Sequence, residues 1–148
     1  METKIVEVKI KLEPGCGDFF PKKAHIDDAG YDLYSRIDVE LAPMSGTAVP
    51  VGFAMELPSG YEAQIRPRSG LAAKYHITVT NSPGTVDANF RGEVKAILYN
   101  LGREPFIIQR GDRIAQMVIC KLPEIELKEV AKLSKSDRGT GGFGSSGK

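Results

Sequence analysis

The chain has 148 residues, 41% of them hydrophobic and 26% charged, with a formal net charge of +1. That is enough chain for one domain with a buried core, and a charge so near balance excludes a polybasic surface for nucleic acid or membrane. Apolar runs fall far short of a membrane span, and the opening "METKIVEVKIKLEP" carries charges where a secretion signal needs an apolar stretch. A cytoplasmic protein is expected, and any anion it binds must be held by local groups.

Period-two alternation is the main pattern. In chain order, Val6, Val8, Ile10 and Leu12 alternate with polar residues, as do Ile37, Val39 and Leu41, then Phe53, Met55 and Leu57, then Tyr61, Ala63 and Ile65. Apolar and β-branched segments follow near 77–80, 94–99, 105–109 and 113–120. Gly, Pro or Asn punctuates the gaps, as in "APMSG", "LPSG", "NSPG", "NLGREP" and "QRGD". Short strands with turn signals at roughly 8–12-residue spacing predict an all-β sandwich or barrel. Only "SGLAAKY", 69–75, reads as helical, with Ser69 as its N-cap. No βαβ rhythm is present, which argues against a Rossmann domain. Cys16 and Cys120 lie far apart without a CxxC, so a disulfide framework or zinc site is not indicated and both are expected reduced and structural. From Ser134 the apolar pattern stops, which divides the chain into a body, 1–133, and a Gly/Ser-rich arm, 134–148.

Four internal segments and the arm resist a purely structural reading. In "AGYDLYS", 29–35, Asp32 sits among aromatic and aliphatic residues; taken alone it reads as a turn or strand-end carboxylate. In "RPRSGLAAKY", 66–75, Arg68, Ser69 and Gly70 precede or open the helical stretch, so a guanidinium, a hydroxyl and free backbone N–H groups can converge on a phosphate. An ordinary helix cap is the competing reading. In "NSPGTVDANFRGE", 81–93, a turn leads to Asp87, a carboxylate able to serve as general base if a water lies within reach. In "RGDRIAQM", 110–117, the Arg-Gly-Asp tripeptide invites an adhesion reading that no secretion signal supports; a turn into a strand with Gln116 facing a site fits better. The tail "RGTGGFGSSGK", 138–148, is either a frayed end or a flexible lid offering Arg138 and the ring of Phe143. His25, which precedes the first of these segments, and His76, which is expected to open a strand, have no triad partners in the sequence.

Taken in order, these segments resemble the five motifs of the trimeric dUTPase family (deoxyuridine 5'-triphosphate nucleotidohydrolases) from Ala29 to Gly147. The resemblance implies a jelly-roll-like β-barrel subunit with one short helix and a flexible C-terminal arm. It implies a homotrimer with shared sites, no nucleic-acid or membrane partner, and Mg²⁺-dependent hydrolysis of dUTP to dUMP and pyrophosphate. That reaction keeps uracil out of DNA and supplies dUMP for thymidylate synthesis. By the same resemblance Asp87 activates the attacking water, while Arg68, Ser69, Gly70 and Gln116 contact phosphates and Asp32 holds Mg²⁺ through its waters. Asn81 and the hairpin backbone through Gly84 and Val86 read uracil, and Phe90, where the family usually has Tyr, packs under the sugar. Arg138 pairs with the γ-phosphate, Phe143 stacks on the base, and Gly144, Ser145 and Ser146 complete the lid. Three other readings compete: a nucleotide-binding signalling module on the same fold, a dCTP deaminase, and an interaction domain with a passive tail. The presence of both Asp87 and Arg138, in five ordered motifs, favours the hydrolase.

Overall fold

A computed structural model describes residues 4–147; Lys148, the end of the expected arm, lies outside the described residues. The strands in chain order are β1 (Lys9–Leu12), β2 (Tyr31–Tyr34), β3 (Val39–Leu41), β4 (Ser45–Pro50), β5 (Phe53–Glu56) and β6 (Tyr61–Arg66). The helix α1 (Ser69–Tyr75) follows, then β7 (Ile77–Val79), β8 (Gly84–Val86), β9 (Lys95–Asn100), β10 (Phe106–Ile108) and β11 (Arg113–Lys121). All pairings between them are antiparallel. The largest sheet has the order β2-β11-β6-β8, a second runs β4-β9-β7, and β1-β5 and β3-β10 form two-stranded ribbons. This is the all-β, jelly-roll-like architecture with one short helix.

Alternation sorts each strand into a buried and a half-exposed face, because successive side chains point to opposite sides of the pleat. On β6 Ala63 and Ile65 are buried while Gln64 and Arg66 are half-exposed; on β11 Ala115 and Met117 are buried and Gln116 is half-exposed. The inward residues meet in one core around Phe53, Leu33, Val49, Leu98, Ile108 and Ile114, all essentially without exposure. Each such side chain contributes roughly 1.5–3 kcal/mol by leaving water. The buried Asn100 is fully paired: its Nδ2 donates to Leu41 O (3.0 Å) and Glu104 O (2.8 Å), and its Oδ1 accepts from Gly102 N (2.8 Å).

Several sequence expectations shift. The first strand begins at Lys9 rather than Val6. β4, "SGTAVP", has no bulky alternation to announce it, and its small residues have a packing reason: a Cβ on Gly46 would run into the Leu98 carbonyl across the pair with β9. The helix spans the expected residues, but its N-cap is Arg68, not Ser69. Arg68 is extended, and its carbonyl accepts the first helical bond from Ala72 N (3.0 Å), so Ser69 is already inside the helix. His76 closes the helix as a left-handed C-cap, and the strand begins one residue later.

Residues 13–24, silent in the sequence, brace the fold. Phe19 stacks on Tyr34 and carries the Arg110 guanidinium over its ring, 4.7 Å from the centroid. Arg110 also donates to Gly15 O (2.7 Å) and Arg36 O (2.6 Å), and its backbone N–H reaches Asp38 Oδ1 (2.7 Å). An Arg so fully engaged is unavailable for adhesion. Cys16 is buried and Cys120 half-buried, and neither is in a disulfide.

The Asn100 network yields a stability prediction. Asn100→Ala orphans three backbone groups, and since each buried group left unpaired costs roughly 1–3 kcal/mol, the expected loss is about 3 kcal/mol. Urea unfolding measures it; an unchanged midpoint would remove the network from the account of stability.

Candidate functional site

The half-exposed face of the largest sheet carries the first constellation. Register places Asp32, Gln116 and Arg66 opposite one another on β2, β11 and β6, one row across three strands. Asp32 therefore lies inside a strand, not at a turn or strand end. Its carboxylate is 20% exposed and stands between two guanidinium groups, with Arg68 Nε 3.9 Å from Oδ1 and Arg113 Nη1 3.7 Å from Oδ2. Arg68 Nη1 also donates to Arg113 O (3.3 Å). Burial, helped by the Asp32 charge, pushes the neighbouring Tyr34 phenol up, while Arg113 and Arg68 pull it down.

Gln116 Nε2 donates to Pro67 O (2.9 Å), and its amide covers Gly30 so closely that any Cβ there would overlap Oε1. Any larger residue at the glycine of "AGYD" would therefore displace the Gln116 amide from this position. Beside this row runs an open groove of about 440 Å³ lined by Arg66, Arg68, Ser69 and Gln116, with Ser82 and Pro83 on the far wall. Ser69 and Gly70 are exposed at its edge. The Ser69 hydroxyl makes no hydrogen bond among the described residues, and a Cβ on Gly70 would meet only open space.

The second constellation lies on the other side of the same hairpin. Ser82 Oγ donates to Val79 O, and the Ser82–Pro83 peptide is cis. Asn81 and Gly84 turn toward a separate pocket of about 540 Å³, which they line with Val86, Asp87 and Phe90. Gly84 and Val86 are held by pairing of β8 with β6. Asp87 follows β8 and is exposed, and among the described residues its carboxylate has neither hydrogen-bond nor ion-pair partner. The next turn is held by Phe90 N to Asp87 O (3.1 Å) and by Arg91 Nη1 to Ala88 O (2.7 Å), with the Phe90 ring folded over Gly92.

The third constellation is the arm. Past Lys121 there is no further strand among the described residues, and the chain is exposed almost throughout. Arg138 Nε donates to Gly141 O (2.6 Å), Gly139 N to Ser136 Oγ (3.1 Å), and Ser145 N to Gly142 O (3.1 Å). All these bonds are internal to the arm, and Phe143, Gly144, Ser145 and Ser146 are exposed. A single chain therefore brings the sequence-derived residues together in three groups, and the groups do not converge.

Sequence reasoning missed Gln64 and Arg66, which line the groove, with Arg66 Nη2 and Nε donating to Gln64 Oε1 at 2.7 and 3.1 Å. A signal was available: stepping back from Arg68 by twos along an alternating strand reaches Arg66 and then Gln64. Arg113 and Glu93 sat inside quoted motifs without a role. As for a metal, the described residues include no cluster of three or more His, Cys, Asp or Glu able to cage an ion. The lone Asp32 suits a hydrated Mg²⁺, which keeps several waters and commonly takes one or two carboxylates plus substrate phosphates. No helix among the described residues is long and apolar enough to cross a membrane.

Comparison with known proteins follows the same outline. The dUTPase family model matches residues 19–147. A deoxyuridine 5'-triphosphate nucleotidohydrolase of Gloeothece citriformis is 54% identical over 137 residues, 93% of each chain. One from Anaplasma marginale is 49% identical over 146 residues, 97% of this chain and 99% of the relative. Among solved structures, the Staphylococcus bacteriophage 80alpha dUTPase with dUPNHPP superposes with a TM-score of 0.82 at 31% identity, over 95% of this chain and 98% of that one. A variant dUTPase from phage phi11 of S. aureus, 24% identical with a TM-score of 0.77 over 87% and 99% of the two chains, coordinates a structural Mg(II) ion. The chain belongs to the dUTPase family.

Proposed function

We propose that the protein is a dUTP diphosphatase, hydrolysing dUTP to dUMP and pyrophosphate. The observation that carries this reading within the family is the unpaired Asp87 carboxylate at a pocket whose walls include Asn81 and the β8 backbone. A carboxylate without a cationic partner is free to accept a proton, and its hairpin backbone offers N–H and C=O groups for an imide edge. Water positioned by Asp87 attacks the α-phosphorus and its proton passes to the carboxylate. The bond from the α-phosphorus to the oxygen bridging to the β-phosphorus breaks, and pyrophosphate leaves. Asn81, Gly84 and Val86 hold the uracil with no space for a 5-methyl group. Phe90 keeps the steric surface beneath the sugar but has no phenolic oxygen.

Arg68, Ser69, Gly70 and Gln116 are the phosphate ligands in this reading. The free Ser69 hydroxyl and the open space over Gly70 support it. Asp32 would be the residue that holds a hydrated Mg²⁺; its oxygens, 3.7 Å and more from their arginines, keep lone pairs for such contacts. When bound, the ion offsets charge on the triphosphate. Arg66, beside Gln116, adds positive charge to the same groove.

The division between body, 1–133, and arm, 134–148, belongs to this proposal. So does a homotrimer in which the groove of one subunit, the Asp87 hairpin of a second and the arm of the third form each site. Support comes from the three groups' failure to converge within one chain and from the arm's wholly internal hydrogen bonds. Arg138 pairs with the γ-phosphate, Phe143 stacks on the base, and Gly144, Ser145 and Ser146 close the phosphate end. Charge-assisted bonds return roughly 1.5–3 kcal/mol each against about 1–2 kcal/mol for fixing each backbone residue, so closure needs several contacts at once. Free thiols suit a cytoplasmic setting; nucleic acid and membrane are not partners.

Pyrophosphate release from dUTP, dTTP, dCTP and UTP, with Mg²⁺ and with chelator, tests the reaction. Fast release from dUTP alone, abolished by chelator, is expected; binding without release would overturn the hydrolase in favour of a binding module. Asp87→Asn should lower kcat by about 10²–10⁴, the usual worth of a positioned base, while a non-hydrolysable dUTP analogue still binds. Full activity in that variant would dismiss Asp87 as base. Native mass should correspond to three subunits, and a monomer with full activity would sink the shared site.

A further inference from the structure

The turn that carries Asp87 and Phe90 has few fastenings of its own. Asp87, Asn89, Phe90, Arg91 and Gly92 are exposed, and the two turn bonds described above lie inside the turn and fix it to nothing else. Arg91 approaches Glu56 at 3.7 Å, with both side chains about half exposed, which makes a weak tether. At its far end the chain runs from Gly92, under the Phe90 ring, directly into Glu93.

Glu93 is held quite differently. Its side chain is only 15% exposed, and both carboxylate oxygens are engaged: Oε1 accepts from Arg36 Nη2 at 2.8 Å and Oε2 from the Gly52 N–H at 3.1 Å. Arg36 is itself fixed, because its N–H donates to Pro50 O (2.9 Å) and it follows the buried Ser35, whose N–H reaches Asp112 O (2.8 Å). The Arg36 Nε is buried and has no partner among the described residues, so Glu93 is the acidic group that balances this guanidinium. The pair joins positions 57 residues apart and links the turn after β2 to the end of the Asp87 hairpin. Glu93 also lines the Asp87 pocket.

We infer that Glu93, clamped by Arg36 and the Gly52 N–H, is a positioning residue that sets where Asp87 and Phe90 stand over the substrate. The inference rests on the dUTP diphosphatase reading and deepens it by naming what holds the base and the sugar floor in place. A carboxylate with two donors in a mostly desolvated setting resists displacement more than a solvated pair does. Without it, Gly92 and the Phe90 ring above it are free to move. A misplacement of about 1 Å at a reacting group can cost on the order of 10²-fold in rate. The Val94 N–H bond to Phe53 O (2.9 Å) still ties the chain one residue on, so a smaller loss is expected here.

The test measures kcat and KM for dUTP and UTP in wild type, Glu93→Ala, Glu93→Gln and Arg36→Met, well below each variant's unfolding midpoint. Glu93→Ala and Arg36→Met should each lower kcat about tenfold, and the ratio of kcat/KM for UTP to that for dUTP should rise about fivefold as the Phe90 floor loosens. Glu93→Gln keeps an acceptor for Gly52 and should fall between these and wild type, and it carries the test if Glu93→Ala does not fold. The double variant should be no worse than either single, since one interaction is lost in each. A merely structural clamp would lower the midpoint and leave kcat and the UTP ratio unchanged, and that result would overturn the proposal. Wild type that releases no pyrophosphate from dUTP overturns the diphosphatase reading and this role together; active wild type with kinetically unaltered variants overturns the clamp alone.

Discussion

The pairing of β11 with β2 on one side and β6 on the other is the constraint on which the groove depends. Side chains alternate with period two, so a one-residue slip in either pairing would turn Gln116 into the core and Met117 out to solvent. Ala115 and Met117, both buried, forbid that slip. The same apolar contacts that bury the core thus hold the row Asp32, Gln116 and Arg66 on the open face. The polar row needs no separate scaffold, because its placement is the reverse side of core packing. A bulge between Arg113 and Ala115 then re-aims the start of β11, where Arg113 meets Asp32.

Electrostatics at that row is arranged for exchange of partners. Asp32 stands 3.7 and 3.9 Å from two guanidinium groups, close enough to hold them and too far for tight bidentate pairing. Partly exposed pairs of this kind are worth little as stability. Their value lies in keeping Arg68 and Arg113 oriented at the sheet's open face. A phosphate entering the groove can take up donors that Asp32 holds only loosely. Asp87 differs: Asp32 is flanked by two guanidinium groups, whereas the Asp87 carboxylate has no partner among the described residues.

Strand alternation and the helix at 69–75 were legible because period-two burial and a short helix-forming run leave direct traces in residue type. β4 and β8 were not, since "SGTAVP" and "GTV" are selected by close backbone approach and by hairpin pairing, which sequence periodicity does not record. The Ser69 cap failed for a related reason: propensity favours Ser at the cap, but the extended Arg68, following Pro67 out of β6, takes that position. The error has a functional side, since a Ser not engaged as a cap keeps its hydroxyl free. Motif order pointed to the candidate site residues, whereas Glu93 and Arg36 are far apart in sequence and meet only through the fold. Charge patterning along one chain carries no information about such a pair.

The separation of the groove from the Asp87 pocket has a structural origin in the hairpin 81–84. Asn81 and Gly84 face one cavity while Ser82 and Pro83 face the other, so a single short turn is wall to both. A ligand long enough to need a base-reading pocket, a water-activating carboxylate and a row of phosphate donors cannot find them in one continuous cavity of this chain. Bringing a second copy's hairpin over the first copy's groove would supply the missing side without altering either fold. In that proposed arrangement assembly itself would complete the site, because a single subunit holds Asp87 and the Arg68 groove on opposite sides of a wall. The Arg36–Glu93 clamp then gains a second meaning. It would tie a hairpin that reaches a neighbour to the turn at Ser35, whose N–H donates to Asp112 O in the same chain.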